Sequence, residues 1–234
     1  MNDIPRISII IPTFNEAQGI AQLLTHLEDI IDQNKVGEII IVDGKSDDNT
    51  KAIASQHNVN VLISDKGRAK QMNFGARHAK ENIFYFLHAD TFPKKGFEKM
   101  ILQALQQGYE AGCFRMKFDT KNPFLRFFAY LSRINHSLCR GGDQSLFITK
   151  EQFLKHQGFN ERYLIYEDTE FIRRLYKNLK FKVLPEHVIT SARKYREKGW
   201  VKVQFHFGMI HLKNYLGAPP EELYQYYQRY LLHS

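Results

Sequence analysis

The chain has 234 residues, 43% of them hydrophobic and 13% aromatic, with a formal charge of +8 and two cysteines. Such a composition excludes a disordered polymer, which cannot bury enough apolar surface to fold. It also excludes a disulfide-stapled or zinc-clamped miniature, because Cys113 and Cys139 have neither the number nor the spacing for it; they read as free thiols of a reducing cytosol.

The N-terminal segment MNDIPRISIIIPTF has an apolar run too short for a signal-peptide core and no small-residue cleavage site. No other stretch reaches the ~18 apolar residues of a spanning helix. The expected location is cytoplasmic, either free or peripheral on the inner face of the membrane. The positive charge favours anionic partners such as nucleotides, phosphates or an acidic lipid surface. With no basic helix or nucleic-acid-binding signature, nucleic acid is not among the expected partners.

ISIII (7–11) predicts a first strand, and Ile20, Leu23, Leu24, Leu27, Ile30 and Ile31 follow at the spacing of one helix face. EIIIV (38–42) predicts a second strand, followed by the polar turn GKSDDNT and a short helix through Ala52 and Ile53. VNVLI (59–63) and NIFYFL (82–87) predict a third and a fourth. Continuous apolar strands joined by helices imply a mostly parallel sheet with helices on both faces. Beyond residue 108 the alternation loosens: AGCFRMKF (111–118), SLFIT (145–149) and FKVL (181–184) read as strands, with FLRFFAYLSR (124–133) between the first two. LIYEDTEF (164–171) opens a helix whose apolar face is Phe171, Ile172, Leu175 and Leu179. From Trp200 onward a pair of amphipathic helices is expected. The domain reading is one α/β domain over 1–199 with a helical extension over 200–234 packed on it.

In open α/β sheets, ligands lie beyond the carboxyl ends of the strands. The polar residues there are Thr13, Asn15 and Glu16 after the first strand, Asp43 after the second, and His88 and Asp90 after the fourth. Local chemistry accounts for several of them: Asn15 and Gln18 could cap the first helix, Asp43 could shape the turn before Gly44, and Asp168 could cap its own helix. Capping does not explain why acids follow both the second and the fourth strand of a cationic chain. Carboxylates there suit a hydrated Mg²⁺ or Mn²⁺, which takes one or two protein oxygens and completes its shell with phosphate and water. No G-x-G-x-x-G follows the first strand and no G-x-x-x-x-G-K-[ST] occurs. A calcium loop starting at Asp43 fails because its sixth position is Asp48 and its twelfth Ala54.

Taken in order, IPTFNE (11–16), VDGKSDDNT (42–50), HAD (88–90), GGDQ (141–144) and YEDTEF (166–171) resemble the family 2 glycosyltransferases of the GT-A fold, from residue 6 to about 200. GRAKQMNFGA (67–76), FLHADTFP (86–93) and TSARKY (190–195) make the chain similar to a bacterial subgroup of the arsenosugar-biosynthesis type. The resemblance implies a Rossmann-like, mostly parallel mixed sheet and transfer from a nucleoside-diphosphate sugar, UDP- or GDP-linked, to an unknown acceptor hydroxyl. It assigns Pro12, Thr13, Asn15, Glu16 and Asp43 to the nucleotide, Arg68 to the base or diphosphate, and Arg193, with Arg196, to the diphosphate. His88-Ala89-Asp90 stands at the metal-binding D-x-D, with Asp90 the metal ligand and His88 a helper. Asp168 is implied as general base with Glu167 beside it, orienting the acceptor or raising the pKa of Asp168. Gly142, Asp143 and Gln144 are implied to meet sugar or acceptor, and Glu170 is left as a solvated helix-start acid.

Two departures from the family pattern bear on this. The first acid of D-x-D is replaced by His88, and Gly44 stands where relatives commonly carry a second ribose-binding Asp. A binding protein that has lost catalysis and a nucleotidyltransferase are the alternative readings; the intact Glu-Asp pair argues against the first. The missing glycine-rich, arginine-containing loop after strand one argues against the second. The aromatics of FLRFFAYLSR and the tail could rest on a lipid surface or pack into the core or a homo-oligomer interface.

Overall fold

The computed structural model describes residues 5–232; Met1 to Ile4 of the N-terminal segment read above lie outside them. One eight-stranded sheet runs through the molecule in the order β3-β2-β1-β4-β7-β6-β8-β5. Its strands are β1 (Ile7–Thr13), β2 (Val36–Asp43), β3 (Asn60–Ile63), β4 (Ile83–Phe86), β5 (Thr91–Phe92), β6 (Ala111–Phe118), β7 (Leu146–Thr149) and β8 (Phe181–Thr190). Strands β1 to β4 pair in parallel, β7 runs antiparallel to both β4 and β6, and β8 returns parallel to β6. The sheet is therefore mixed, with the parallel half where the apolar runs are continuous.

The alternation of side chains along β1 explains the layering. Ile7, Ile9 and Ile11 enter one core with Leu23, Leu24 and Leu27 of α1 (Ile20–Ile30) and Phe97 and Ile101 of α4 (Phe97–Gln106). Ile10 enters the other core, with Ala69 and Met72 of α3 (Arg68–His78), Phe153 of α6 (Lys150–Lys155) and Phe171, Ile172 and Leu175 of α7 (Glu167–Asn178). Helix α2 (Thr50–Ala54) is a single short turn after β2.

A third cluster is built largely from the C-terminal half. Leu125 of α5 (Pro123–Leu131), Tyr195 of α8 (Arg193–Lys198), Val203 and Ile210 of α9 (Trp200–Tyr215) and Leu223 of α10 (Pro220–Tyr227) meet there with Leu231. A π turn over Gln228–Leu232 ends the described chain. Strand β8 is longer than the four residues read from FKVL. It continues through Pro185 and Glu186 to Thr190, where it pairs with the two-residue β5. No helix among the described residues is long and apolar enough to cross a membrane.

Strand β1 lies between β2 and β4, and the chain proceeds from β1 to one side and returns to the other. The crevice at the carboxyl ends of β1 and β4 is thus the topological switch point of the parallel half, where such sheets bind ligands.

Candidate active site

The floor of the crevice is set by α3. Gly75 lies so close to the sheet that a Cβ there would stand 2.6 Å from Ile10 Cγ2 and 2.9 Å from Val42 Cγ2. That close approach brings Gln71, 2% exposed, over the strand ends, where its Nε2 donates to the carbonyls of Thr13 and Val42, both at 2.7 Å. Gln71 ties β1 to β2 at the mouth of the crevice. Sequence reasoning missed it, although a polar residue among Ala69, Gly75 and Ala76 on a helix with so little bulk was a usable signal.

The loop after β2 is knitted to the loop after β1. Asp43, 2% exposed, accepts from the Ser46 amide at 2.8 Å, the Ser46 hydroxyl at 2.6 Å and the Thr13 hydroxyl at 3.3 Å. Asn15 takes a left-handed conformation, φ 56°; its amide donates to Ser46 Oγ and its Oδ1 accepts from the Asp47 amide. The Glu16 amide donates to Thr50 Oγ1 at 2.8 Å and the Ala17 amide to Asp48. Asn15 and Gln18 are thus not a capping pair: α1 begins after Gly19 with no side-chain cap. Pro12 is buried at the end of β1, in register with Val42.

The opposite wall begins at α7. Asp168 does not cap this helix; the cap position is Tyr166, held at φ 70° with no side-chain cap bond, and Glu167 and Asp168 are already inside the first turn. Both are buried, at 1% and 8% exposure. Glu170 is not solvated either: Arg174 grips it with two hydrogen bonds at 2.7 and 2.8 Å.

Between the two walls sits His88, 7% exposed, the last polar group before Ala89 and Asp90. Its Nε2 is 3.5 Å from Asp168 Oδ2 and its Nδ1 is 3.8 Å from Asp143 Oδ1. Burial opposes the charged ring, but the two carboxylates outweigh it and hold the pKa up at about 10, so the ring is a cation at neutral pH. Asp143 feels the converse: its pKa is lowered, against desolvation by the crevice walls, chiefly by His88. Glu167 goes the other way. Burial, then the neighbouring charge of Asp168, push its pKa up to about 8. Its Oε1 has no hydrogen-bond partner among the described residues, and its nearest cation there is Arg68, 4.0 Å away and half exposed. Glu167 therefore holds its proton well above the ordinary carboxylate range.

Arg68 is the first residue of α3 and feels Glu167, Asp168, Asp143 and Asp90 together. Arg193 bonds Glu16 at 3.2 Å across the loops, and the backbone of Asp90 is fastened by the Ser191 amide at 3.2 Å. Arg196 is turned elsewhere, onto Asp119 at 2.9 and 3.3 Å. In GGDQ the residues part company. Asp143 faces His88, whereas Gln144 is 4% exposed and spends its amide on Arg140 at 2.6 Å and the Cys139 carbonyl at 2.7 Å. Gly142 starts the 3-10 turn (Gly142–Gln144) that carries both.

For a divalent cation the donor set is narrow. No cluster of three or more His, Cys, Asp or Glu that could hold a metal occurs among the described residues. The two ring nitrogens of His88 face the carboxylates of Asp168 and Asp143. Asp90 is half-buried and its carboxylate has only the weak Thr91 hydroxyl contact at 3.4 Å. One such carboxylate fits a hydrated Mg²⁺ or Mn²⁺ that takes most of its shell from phosphate and water, and does not fit a cage of protein ligands. A groove of about 710 Å³ lies elsewhere, lined by Asn73, Arg77, Gly158, Glu161 and Arg174 among others; it holds none of the candidate residues.

The Glycosyl transferase family 2 model matches residues 8–184. A curated relative from Methanococcus voltae, dolichyl N-acetyl-alpha-D-glucosaminyl phosphate 3-beta-D-2,3-diacetamido-2,3-dideoxy-beta-D-glucuronosyltransferase, is 35% identical over 43% of this chain and 34% of its own length. The matches span about a third of the length of the first such relatives, 34% and 32%. Among solved structures, a mannosyltransferase from Pyrobaculum calidifontis in complex with GDP-Man and Mn²⁺ superimposes with a TM-score of 0.68 at 19% identity, covering 98% of this chain and 70% of that one. TarS of S. aureus in complex with UDP-GlcNAc gives 0.64 at 18% identity, over 80% and 58%. These likenesses establish the GT-A fold.

Proposed function

Since the chain belongs to glycosyl transferase family 2, we propose that it transfers a sugar from a nucleoside-diphosphate sugar to an acceptor hydroxyl, with Asp168 as general base. The observation that carries this reading is the unlike pair at the start of α7. Burial and the neighbouring charge push the pKa of Glu167 up, while Asp168 lies 3.5 Å from His88 Nε2 at the mouth of the switch-point crevice. Two adjacent carboxyl groups in such unlike surroundings suit separate acid and base duties.

In the proposed step the acceptor oxygen forms a bond to the anomeric carbon and its proton passes to an Asp168 oxygen. The bond from that carbon to the diphosphate oxygen breaks in the same displacement, which inverts the anomeric configuration. Base assistance of this kind contributes roughly 10²- to 10⁴-fold. In its protonated form Glu167 donates a hydrogen bond to a sugar or acceptor oxygen. The knitted loops around Pro12, Thr13, Asn15, Glu16 and Asp43 hold the nucleotide, and Arg68 and Arg193 bring fixed positive charge to the diphosphate side. The backbone of His88-Ala89-Asp90 lines that side. Asp143 is proposed to meet the sugar, with Gly142 shaping its turn, while Gln144 supports that turn from beneath.

A divalent cation, Mg²⁺ or Mn²⁺, would be held by Asp90 and supply positive charge to the leaving diphosphate. The presence of Mn²⁺ and GDP-Man in the Pyrobaculum structure supports that assignment. UDP- and GDP-sugars are both proposed as donors, given the ligands of the two solved neighbours. The narrower likeness to arsenosugar-biosynthesis-type bacterial transferases is kept as a proposal resting on GRAKQMNFGA, FLHADTFP and TSARKY.

Thermal shift against UDP, GDP, ADP and CDP, with and without Mn²⁺, tests the reading. The cognate diphosphate at a hundred times its dissociation constant stabilises by about 2.7 kcal/mol; no shift with any of them removes the nucleotide-sugar reading. Calorimetry on Asp90→Ala should show that Mn²⁺ no longer tightens binding; an undiminished Mn²⁺ effect sinks Asp90 as the ligand. Hydrolysis of the donor sugar by the same preparation separates an enzyme from a binding protein that has lost catalysis.

A further inference from the structure

Two stretches of the chain contain no carboxylate at all, residues 120–142 and 198–220. In the first lie Lys121, Arg126, Arg133 and Arg140, and in the second Lys198, Lys202 and Lys213. They correspond to α5 with the turn that follows it, and to α9 with its C-terminal turn. Both helices contribute to one buried cluster, Leu125 from α5 and Val203 and Ile210 from α9.

Each helix has a second apolar face that the cluster does not use. On α5 and just past it, Phe127 and Tyr130 are both 60% exposed, Ile134 49% and Leu138 63%. On α9, Val201 is 68% exposed, Phe205 61%, Leu212 47% and Tyr215 76%. Positions 201, 205, 212 and 215 fall on one face of the helix. Exposed apolar side chains gathered on one face mark a surface of interaction. Cations flank them: Arg126 and Lys202 are exposed and make no ion pair among the described residues, and Arg133 stacks over the Tyr130 ring at 4.9 Å.

We propose that the exposed faces of α5 and α9 dock on an anionic lipid bilayer, with Phe127, Tyr130, Phe205 and Tyr215 entering the interface and Arg126, Arg133 and Lys202 meeting the headgroups. Aromatic rings with a wet edge are suited to that depth, and basic residues beside them are drawn to anionic lipid. A second copy of the chain is the poorer occupant, because isologous pairing sets each patch against itself and would bring the cations Arg126, Arg133 and Lys202 of the two copies together. The inference is independent of the proposed role of Asp168. Its link to the site is through the chain: the segment after α5 passes the 3-10 turn Ser137–Cys139 and reaches the turn that carries Asp143.

Sedimentation of the full chain with vesicles tests it. The chain should pellet with vesicles of phosphatidylcholine mixed with phosphatidylglycerol and stay in solution with phosphatidylcholine alone, and high salt should weaken the binding by about tenfold or more through screening. Phe127→Ser and Phe205→Ser should each lower partitioning several-fold, and their effects should multiply, with circular dichroism and thermal midpoint unchanged because both rings are mostly in solvent. Equal binding to neutral vesicles, no binding to either kind, or undiminished binding of the double variant would overturn the proposal. So would analytical ultracentrifugation showing a dimer that Phe205→Ser dissociates, since the face would then belong to a second copy.

Discussion

Asp43 and Glu167 are both carboxyl groups almost wholly withdrawn from water, yet their surroundings differ in kind. Asp43 has its oxygens filled by three donors supplied within a few residues of the strand ends. Among the described residues Glu167 has one oxygen with no partner, a carboxylate beside it and a cation no nearer than 4.0 Å. A buried polar group costs free energy unless it is satisfied, so the first carboxylate is part of the scaffold and the second pair is a cost the scaffold carries. Costs of that sort persist where the chemistry of a site requires them. The same contrast separates the two halves of the molecule: the loops after β1 and β2 are a closed hydrogen-bonded fabric, and the wall formed by α7 and the GGDQ turn is a set of charges held apart by one histidine.

The largest expected effect follows from that difference. Asp168→Asn should lower transfer at least a hundredfold while leaving the thermal midpoint and nucleotide affinity near those of the parent. Turnover within a few-fold of the parent would remove Asp168 as base. Asp43→Ala should show the opposite profile, because it strands the Ser46 amide and loosens both loops. Leaving buried partners unmatched costs about 1–3 kcal/mol, to be read from chemical denaturation. If Asp43→Ala proved as stable as the parent but unable to bind nucleotide, the contrast would collapse and Asp43 would be a ligand group alone.

A smaller effect is expected at the entry to α3. Gly67 sits at φ 136° and ψ 120°, a conformation that side chains with a Cβ rarely adopt, and Arg68 follows it. Gly67→Ala should cost about 1–3 kcal/mol of strain, or displace Arg68 and weaken diphosphate binding with little loss of stability. An alanine variant unchanged in both respects would show that the placement of Arg68 does not depend on this turn.

How much of this was legible in the sequence follows the same division. The parallel half could be read because its strands are apolar on both faces and its helices repeat at helix spacing, so Ile7–Thr13, Val36–Asp43 and Ile83–Phe86 emerge from local pattern alone. Strand β5 could not, being two residues held only by β8. The polar end of β8 was hidden for the same reason: Pro185 and Glu186 are tolerable there because distant chain supplies the pairing. The local alternative of a cap at Asp168 fails: capping rules place acids at the boundary, and nothing local announces that Tyr166 takes the left-handed turn instead. The pairing of Glu170 with Arg174 was available as an i,i+4 spacing. The histidine between Asp143 and Asp168 was not, since it depends on three segments far apart in sequence meeting at one point.

The last expected effect is the one that isolates the burden of the pair. In the unfolded chain Glu167 loses its proton near 4.5, whereas in the folded protein it keeps it to about 8. Between those values the folded state binds more protons than the unfolded one, so this group's contribution to stability falls as pH rises through the window and levels off above it. Glu167→Gln removes the titration while keeping shape and a donor. The variant should therefore match the parent near pH 4.5 and exceed it by pH 8, where each 1 kcal/mol gained raises the midpoint by about 2–4 °C in a chain of this size. The comparison is differential, so every other titrating group, His88 included, cancels to the extent that the substitution leaves it undisturbed. A midpoint difference that stays flat across the range would mean that Glu167 ionises normally, and the chemical contrast with Asp43 would then have to rest on Asp168 alone.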